Sequence, residues 1–260
     1  STRHEFSCRR VAPSTAPKGF VMSEHTPGSG SVVVTGGTGG LGTAVTERLL
    51  ATGARVVVPW YDEAEVDRLT PHPDLLLVKA DLSDENDVER VISLAAEDDS
   101  RPLTGLVNLV GGFHSGSRVH ETPVDVLDAQ LSLNLRIAYL VTQAALPELI
   151  RHGGGSIVCI GSAAATSPFP GAAGYIASKA AVAALVQSMA VEYAPDSIRV
   201  NGLVPSMIDT PANRQAMPDA DTSSWARPTD IAEVIAFLLS DASRAVTGAL
   251  VPVTGSTAAR

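Results

Sequence analysis

The sequence predicts an α/β fold in which a doubly wound, seven-stranded parallel sheet is covered by helices on both faces. Short runs of aliphatic and β-branched residues alternate along the chain with longer segments of helical periodicity. The short runs are almost continuously apolar, which is typical of strands that are buried on both faces. Strand–helix alternation also predicts right-handed crossovers between parallel neighbours. With 260 residues, 45% of them hydrophobic, the chain can bury the core of one large domain.

The predicted elements follow one another along the chain. The strands are 32–34, 56–58, 75–78, 106–109, 157–160, 198–200 and 250–253. The helices are 40–52, 62–69, 84–97, 123–151, 173–194 and 229–240. Asp84 and Thr229 are the predicted N-caps, because both side chains can accept a hydrogen bond from the first helical turn. Asp230 and Glu233 would then place negative charge at the start of the last helix.

The predicted domain spans residues 31–260 and excludes the first thirty. Residues 1–30 are rich in Ser, Thr, Pro and Gly and show no periodicity, so we expect a disordered tail. Met22 reads like a natural start, which would make residues 1–21 vector-derived or a translated leader. A cleaved organelle transit peptide is the alternative. A secretory signal would need an apolar centre of about 7–15 residues, which this segment lacks.

Composition narrows the classes of function. A net charge of −9 argues against a general nucleic-acid binder, because phosphate neutralisation needs a basic face. No apolar run reaches the roughly 18 residues of a membrane span. Only Cys8 and Cys159 occur, and Cys159 lies in a predicted strand, so we expect no disulfide framework and a reducing, cytoplasmic setting. The sequence also contains no metal-ligand spacing.

A glycine-rich run predicts a cofactor site. It reads Thr35-Gly36-Gly37-Thr38-Gly39-Gly40-Leu41-Gly42. The run follows a predicted strand and opens a predicted helix, where glycines let the backbone approach a pyrophosphate. The helix N-terminus adds unpaired N–H groups and the positive end of the helix dipole. Taken alone, the glycines also fit a tight turn with close helix–strand packing. In combination with the residues downstream, they predict a dinucleotide site.

A second motif predicts proton chemistry. Tyr175 and Lys179 are four residues apart in a predicted helix, and Ser162 precedes the tyrosine by thirteen residues. Residues at i and i+4 share one helical face. Tyrosine has an unperturbed pKa near 10, and a neighbouring ammonium would lower that pKa by favouring the phenolate. Each residue taken singly has a structural explanation. The spaced set predicts proton transfer at a carbonyl or an alcohol.

These two motifs, together with 108–112, Asn134 and the stretch 199–205, resemble the short-chain dehydrogenase/reductase family. The likeness is to its single-domain branch and runs from about Ser31 to Gly255. It implies a Rossmann fold and an NAD(P)-dependent oxidoreductase that interconverts a ketone and a secondary alcohol. Reductases of 3-oxoacyl thioesters are the commonest relatives, and polyketide, sugar and steroid reductases stay open. A cofactor-sensing protein with little or no turnover is the alternative from another class.

The resemblance implies a role for each member of the catalytic set. Tyr175 would be the general acid/base, and Lys179 would also bind the nicotinamide ribose. Ser162 would hydrogen-bond the substrate oxygen. Asn134 would hold the water that links Lys179 to solvent.

The resemblance also implies the cofactor contacts. In the glycine run they are Gly36, Thr38, Gly39, Gly40, Leu41 and Gly42. Asp81 and Leu82 follow the third predicted strand, where Asp81 would bind the adenine or else cap the next helix. Asn108 and Gly111 would support the sheet and the adenosine, although Leu109 replaces the family's second asparagine. The residues around the nicotinamide would be Tyr175, Lys179, Pro205, Ile208 and Thr210, with Ser206 where glycine is usual.

The choice between NAD and NADP depends on the residue after the second predicted strand. An acid there would bind the ribose 2′-OH, and an arginine would bind a 2′-phosphate. By alignment with the family the position is Trp60, and Asp62 follows two residues later as a displaced ribose ligand or a helix cap. No Arg or Lys occupies this position or the other usual one, Gly39. We therefore expect NAD rather than NADP.

The substrate is expected to be a small carbonyl compound or alcohol. Residues 206–224 would form a short lid, and the candidate pocket walls are Phe113, His114, Phe169 and Met207. The family usually assembles as tetramers through its two long central helices. The resemblance thus implies a homo-oligomer, a tetramer or a dimer, that uses the helices predicted at 123–151 and 173–194.

Overall fold

The computed structural model describes residues 30–255, and its centre is one parallel sheet in the order β3-β2-β1-β4-β5-β6-β7. The strands are β1 (Ser31–Thr35), β2 (Arg55–Trp60), β3 (Leu75–Lys79), β4 (Leu103–Asn108), β5 (Gly155–Ile160), β6 (Ile198–Pro205) and β7 (Leu250–Val253). Every neighbouring pair is parallel. The predicted fold class is confirmed. The predicted tail lies, except for Gly30, outside the described residues.

Helices cover the sheet on both faces. They are α1 (Gly42–Leu50), α2 (Glu85–Ala96), α3 (Val124–Leu131), α4 (Ile137–Arg151), α5 (Ala173–Glu192), α6 (Pro211–Ala216) and α7 (Pro228–Leu239). One core layer joins the sheet to α2, α4 and α5, and the other joins it to α1 and α7. Side chains of a strand alternate between faces, so Val33 packs in the first layer and its neighbours Val32 and Val34 in the second.

Two local predictions need correction. The predicted helix 62–69 is a 3₁₀ helix, Glu63–Arg68, because Pro71 and Pro73 leave room only for a short element before β3. Thr229 does not cap α7, whose N-cap is Arg227. Pro228 takes the first helical position, which suits its fixed φ and its missing N–H.

Asp84 is confirmed as the N-cap of α2, since its side chain accepts from the N–H groups of Asn86 at 2.8 Å and Asp87 at 3.3 Å. The predicted helix 123–151 is continuous from α3 to α4, but the turn Ser132–Arg136 between them is π-helical. The predicted lid contains the short helix α6, which the sequence analysis did not anticipate.

Within residues 30–255, α5 is the one helix whose length and mean hydropathy would suit a membrane span. Its Ser178, Lys179 and Val182 are buried, and the helix packs on α3 and β6. A core helix of a globular domain has the same length and composition.

A half-buried arginine, Arg199, joins β6 to the end of α7. The Arg199 guanidinium donates to the carbonyl oxygen of Leu238 at 2.7 Å, the hydroxyl of Ser243 at 2.7 Å and the carbonyl oxygen of Ser240 at 3.2 Å. Burial lowers the pKa of Arg199, and the nearby Asp241 acts in the opposite direction. These bonds satisfy carbonyl groups that the helix end leaves free.

Replacing this arginine should destabilise the domain. Arg199→Met keeps the aliphatic stem but removes every hydrogen bond that the guanidinium donates to the end of α7. We expect a loss of about 2 kcal/mol in the free energy of unfolding, the order of a lost hydrogen bond to a charged group. Urea unfolding followed by circular dichroism measures it. Arg244→Met, at an exposed position nearby, is the matched control and should stay within about 0.5 kcal/mol of the parent. Equal losses in both variants would contradict the assignment.

Candidate active site

The predicted site residues lie mainly at the carboxyl edge of the sheet. β1 leads toward β2 and β3, and β4 leads the other way, so the strand order reverses between β1 and β4. In an open α/β sheet, ligands bind in the crevice at this reversal. The glycine loop follows β1, and 109–112 follows β4. The topology therefore brings the two halves of the predicted site together.

The glycine loop leaves no room for larger side chains. Gly36 has φ of 67°, a conformation that glycine adopts without strain, and its carbonyl oxygen accepts from the Gly39 N–H at 3.0 Å. A Cβ atom on Gly42 would lie 1.9 Å from that same oxygen. α1 begins at Gly42 without a side-chain cap. The Thr43 N–H donates to the Gly39 carbonyl oxygen at 2.9 Å, and the other N–H groups of the first turn can bind an anion. The loop fits a dinucleotide pyrophosphate.

The loop after β4 is attached to β1 by a hydroxyl group. Thr35 Oγ1 accepts from the N–H of Leu109 at 3.1 Å and of Val110 at 3.5 Å. Leu109, which replaces the family's second asparagine, packs with the apolar layer beside α1 and α7. Asn108 points into the interior, where its Nδ2 donates to Thr142 Oγ1 at 3.0 Å. Its place supports the sheet.

Asn134 is buried in the π-helical turn and ties three segments together. Its Oδ1 accepts from the Gly112 N–H at 3.0 Å, and its Nδ2 lies 3.0 Å from the Gly112 carbonyl oxygen. The same Nδ2 lies 3.1 Å from Ser178 Oγ and 3.3 Å from Gln130 Oε1. Both ends of the amide thus bind protein groups, and the predicted role of Asn134 toward a water stays a prediction.

Lys179 is buried beneath the loop after β4. Only 5% of the residue is exposed, and its Nζ donates to the carbonyl oxygen of Ile160 at 3.1 Å. A Cβ atom on Gly111 would lie 3.0 Å from this Nζ and 2.6 Å from Asn134 Oδ1. Burial lowers the pKa of Lys179 to about 8, and the Cys159 thiol acts in the opposite direction. This lysine therefore titrates close to neutral pH.

Tyr175 lies in the first turn of α5, one turn before Lys179. Burial raises its pKa above the ordinary value of 10.0, and a hydrogen bond with Ser162 acts in the opposite direction. The sequence had led us to expect a pKa lowered by the ammonium of Lys179. The structure reverses that direction, because loss of solvent around the phenol has the largest effect.

Ser162 lies two residues beyond the end of β5 and makes two interactions in the structure. Its Oγ accepts from the N–H of Ala164 at 3.2 Å, which caps the short 3₁₀ helix Ala163–Ala165. Its hydroxyl group also interacts with Tyr175. Ser162 is therefore both a turn residue and a neighbour of Tyr175.

Two predicted adenosine ligands have partners within their own turns. Asp62 is exposed and caps the 3₁₀ helix Glu63–Arg68 by accepting from the Ala64 N–H at 3.0 Å. Asp81 accepts from the Ser83 hydroxyl at 2.7 Å and N–H at 2.9 Å, and the hydroxyl contributes most to its lowered pKa. Asp84, not Asp81, caps α2. Leu82 is buried in the core.

Two residues beside the glycine loop, Glu65 and Arg68, were not predicted from the sequence. Glu65 Oε2 accepts from Thr38 Oγ1 at 2.8 Å, and Arg68 Nη1 lies 3.4 Å from the Thr38 carbonyl oxygen. The available signal was an acid roughly 20 residues beyond the glycines. Trp60, at the end of β2, has no carboxylate, and the ammonium of Lys79 lies over its ring at 5.4 Å from the centroid.

The segment after β6 rests on the glycine loop. Pro205 ends β6, Ile208 forms a single bridge with Ala226, and Thr210 caps α6. A Cβ atom on Gly40 would lie 3.1 Å from Thr210 Cβ. The predicted lid therefore contacts the cofactor end of the site. Within residues 30–255 no group of three or more His, Cys, Asp or Glu side chains could hold a metal ion.

The chain is similar to named dehydrogenases and reductases. A family described as enoyl-(acyl carrier protein) reductase matches residues 36–255. Human dehydrogenase/reductase SDR family member 4 is 32% identical over 274 aligned residues, covering 97% of this chain and 96% of that protein. The 2-(R)-hydroxypropyl-CoM dehydrogenase of Xanthobacter autotrophicus is 33% identical over 242 residues, covering 86% of this chain and 96% of that protein.

Solved structures show the same likeness. A 3-ketoacyl-(acyl-carrier-protein) reductase from Brucella melitensis complexed with NADH superposes with a TM-score of 0.78 at 29% identity, covering 86% of this chain and 96% of that chain. A short-chain type dehydrogenase/reductase from Mycobacterium ulcerans gives 0.79 at 26% identity, covering 86% and 88%. ElxO with NADP bound gives 0.80, covering 86% and 97%, but at 24% identity it speaks for the fold alone.

The buried lysine predicts a pH-dependent stability. Its folded-state pKa of about 8 is below the ordinary 10.5, so between these values the unfolded chain binds more protons and stability rises with pH. Lys179→Met removes this titration. Between pH 7 and pH 9 we expect the wild type to gain about 1 kcal/mol of unfolding free energy relative to the variant, from the pKa near 8. Denaturant unfolding at both pH values measures the difference, and parallel profiles would contradict it.

Proposed function

This chain belongs to the short-chain dehydrogenase/reductase family and is an NAD(P)-dependent oxidoreductase, and we propose that it interconverts a ketone and a secondary alcohol with Tyr175 as general acid/base. One observation carries the proposal. Tyr175 lies against Ser162, and one turn further along α5 the buried Lys179 lies against Gly111 and Asn134. The set stands at the sheet edge that also carries the glycine loop.

A bound nicotinamide would supply or accept the hydride. In the direction of reduction, the Tyr175 phenol donates its proton to the substrate oxygen. Its raised pKa keeps the phenol protonated until then. The Ser162 hydroxyl donates a hydrogen bond to the same oxygen as negative charge develops on it. The Lys179 ammonium, with a pKa of about 8 and one turn further along α5, would stabilise the phenolate that remains. Oxidation is the reverse.

The cofactor contacts follow from the same arrangement. Backbone N–H groups of the glycine loop and the start of α1 hold the pyrophosphate, as proposed for Gly36, Thr38, Gly39, Gly40, Leu41 and Gly42. Asp81, Leu82, Gly111 and Trp60 would border the adenosine. Asn108 is buried and bonded to Thr142, so it supports the sheet beneath, and Asp62 is engaged as a cap. Lys179, Pro205, Ile208 and Thr210 border the nicotinamide. Neither Gly39 nor Trp60 provides a cation for a 2′-phosphate, which favours NAD over NADP.

Exposed aromatic rings beside Tyr175 support an apolar substrate. The Phe113 ring meets the Tyr175 ring edge-on at 5.0 Å, and the Phe169 ring lies 6.2 Å from Phe113. The two phenylalanines are 60% and 43% exposed. Their loops are joined by the Gly116 N–H, which donates to the Gly171 carbonyl oxygen at 2.9 Å. Exposed rings at a site are typical of surfaces that bind an apolar group.

We further propose that residues 31–260 form one domain and that the chain assembles as a homodimer or homotetramer in the cytoplasm. The helical run from α3 to α4 and helix α5 would supply the interface. Tyr139 on α4 and Val191 on α5 are 50% and 79% exposed, and such apolar side chains favour contact with a second copy. A cofactor-sensing protein is the second candidate, and it would bind the cofactor without turnover.

Removing the phenolic hydroxyl should abolish catalysis. We expect Tyr175→Phe to lower kcat for ketone reduction by roughly 100-fold to 10,000-fold, the contribution of general acid catalysis. The affinity for the reduced cofactor, measured by fluorescence titration, should change less than about threefold. Unchanged turnover would defeat the role of Tyr175. Cofactor binding without turnover in the wild type, across a panel of ketones and alcohols, would favour the sensor.

The aromatic wall predicts a substrate preference. We expect Phe169→Ala to raise KM for an aryl ketone about tenfold, because a buried contact of one ring is worth 1–2 kcal/mol. A small aliphatic ketone should be affected less than twofold. Phe237→Ala, 45% exposed on α7, is the matched control and should leave both KM values unchanged. Equal effects of Phe169→Ala on the two ketones would contradict an apolar wall.

A further inference from the structure

The 3₁₀ helix after β2 is hydrogen-bonded to the glycine loop through a charged pair. Thr38 Oγ1 donates to Glu65 Oε2 at 2.8 Å, and Arg68 Nη1 donates to Glu65 Oε1 at 3.0 Å. The same Nη1 lies 3.4 Å from the carbonyl oxygen of Thr38. These three residues, Thr38, Glu65 and Arg68, are named the loop clasp. The proposed function gives no role to the side chains of Glu65 and Arg68.

We propose that the loop clasp selects the cofactor. Glu65 accepts a hydrogen bond from a hydroxyl of the adenosine ribose and favours NAD. Its ion pair with Arg68 keeps that guanidinium from binding a 2′-phosphate. The inference rests on the proposed function, because it requires that the glycine loop binds a dinucleotide. It assigns the selectivity to the 3₁₀ helix instead of the end of β2.

The placement of Glu65 supports this role. In doubly wound folds an acid about 20 residues beyond the glycine loop binds the ribose 2′-OH. Trp60, at the usual position after β2, has no carboxylate, and Asp62 uses its own carboxylate as a helix cap. Among residues 30–255, Glu65 is the carboxylate that is hydrogen-bonded to the loop's own side chain.

The hydrogen-bonding capacity of Glu65 is not exhausted. Each carboxylate oxygen offers about two acceptor sites, and each has one bond here, from Thr38 or from Arg68. The side chain is 33% exposed, so a ligand bound at the loop can reach the carboxylate. They can accept a ribose hydroxyl. A 2′-phosphate would instead bring negative charge against the carboxylate.

Arg68 has two functions in the clasp. Beside Glu65 it compensates the carboxylate charge and holds it against Thr38. A guanidinium group is also the preferred ligand of phosphate, which it binds with two parallel N–H groups. Its side chain is 51% exposed, so it can reach a phosphate at the loop. Replacing the carboxylate by an amide would break the ion pair and release Arg68 for this purpose.

The test is calorimetric titration of the full chain with ADP-ribose and with its 2′-phosphorylated form. These ligands lack nicotinamide, so the readout is independent of turnover. We expect the wild type to bind ADP-ribose at least roughly 10-fold more tightly, the order of one hydrogen bond to a charged group. Glu65→Gln should remove this preference by weakening ADP-ribose and strengthening the phosphorylated ligand. Adding Arg68→Gln to this variant should cancel the stronger binding of the phosphorylated ligand and leave the binding of ADP-ribose weak.

Two further variants complete the experiment. Glu63→Gln lies on the same helix, is exposed, and should behave as the wild type. Arg68→Gln alone should keep the preference for ADP-ribose, which preserves the test if Glu65→Gln does not fold. An unchanged ratio in Glu65→Gln would overturn the inference. The inference would also be overturned if the wild type preferred the phosphorylated ligand and Arg68→Gln removed that preference. If neither ligand binds the wild type, the proposed function fails as well.

Discussion

The burial of one ammonium group is the constraint on which the rest of the site depends. Lys179 lies under the loop after β4 with a single protein acceptor, the carbonyl oxygen of Ile160. Burying an amine favours its neutral form, so its proton becomes easy to move near neutral pH. This position requires a glycine at 111 and a buried amide, Asn134, that fixes the loop at Gly112. Backbone shape and proton chemistry are therefore set together.

The cofactor end is built mainly from backbone, and the chemical end mainly from side chains. Gly36 has to be glycine because its φ is positive, and Gly42 has to be glycine because a Cβ atom there would collide with the Gly36 carbonyl oxygen. The chemical end needs particular side chains, since Ser162 and Tyr175 must meet from two different elements. The sheet brings the two ends of the site together, because β1, β4 and β5 are neighbouring strands whose carboxyl ends lie at one edge.

Much of this could be predicted from the sequence where the signal is local. Continuous apolar runs identified every strand, and Asp84 capped α2 as expected. Errors arose where a distant part of the chain decides. The pKa of Tyr175 is raised by burial, which an i, i+4 spacing does not reveal. The contact of Glu65 with Thr38 depends on how the segment after β2 folds back over the loop. Thr229 does not cap α7, because Pro228 takes the first helical position and makes Arg227 the N-cap.

The π-helical turn at Ser132–Arg136 has a consequence for the whole central helix. It accommodates more residues per turn than an α-helix, so Gln130, Asn134 and Ala138 all face inward at successive intervals of four. An α-helix turns by about 100° per residue. Deleting one residue here would rotate α4 by that angle about its axis and carry Val141 out of the apolar layer. The π-helical turn that holds the buried Asn134 therefore also sets which face of α4 packs against the sheet.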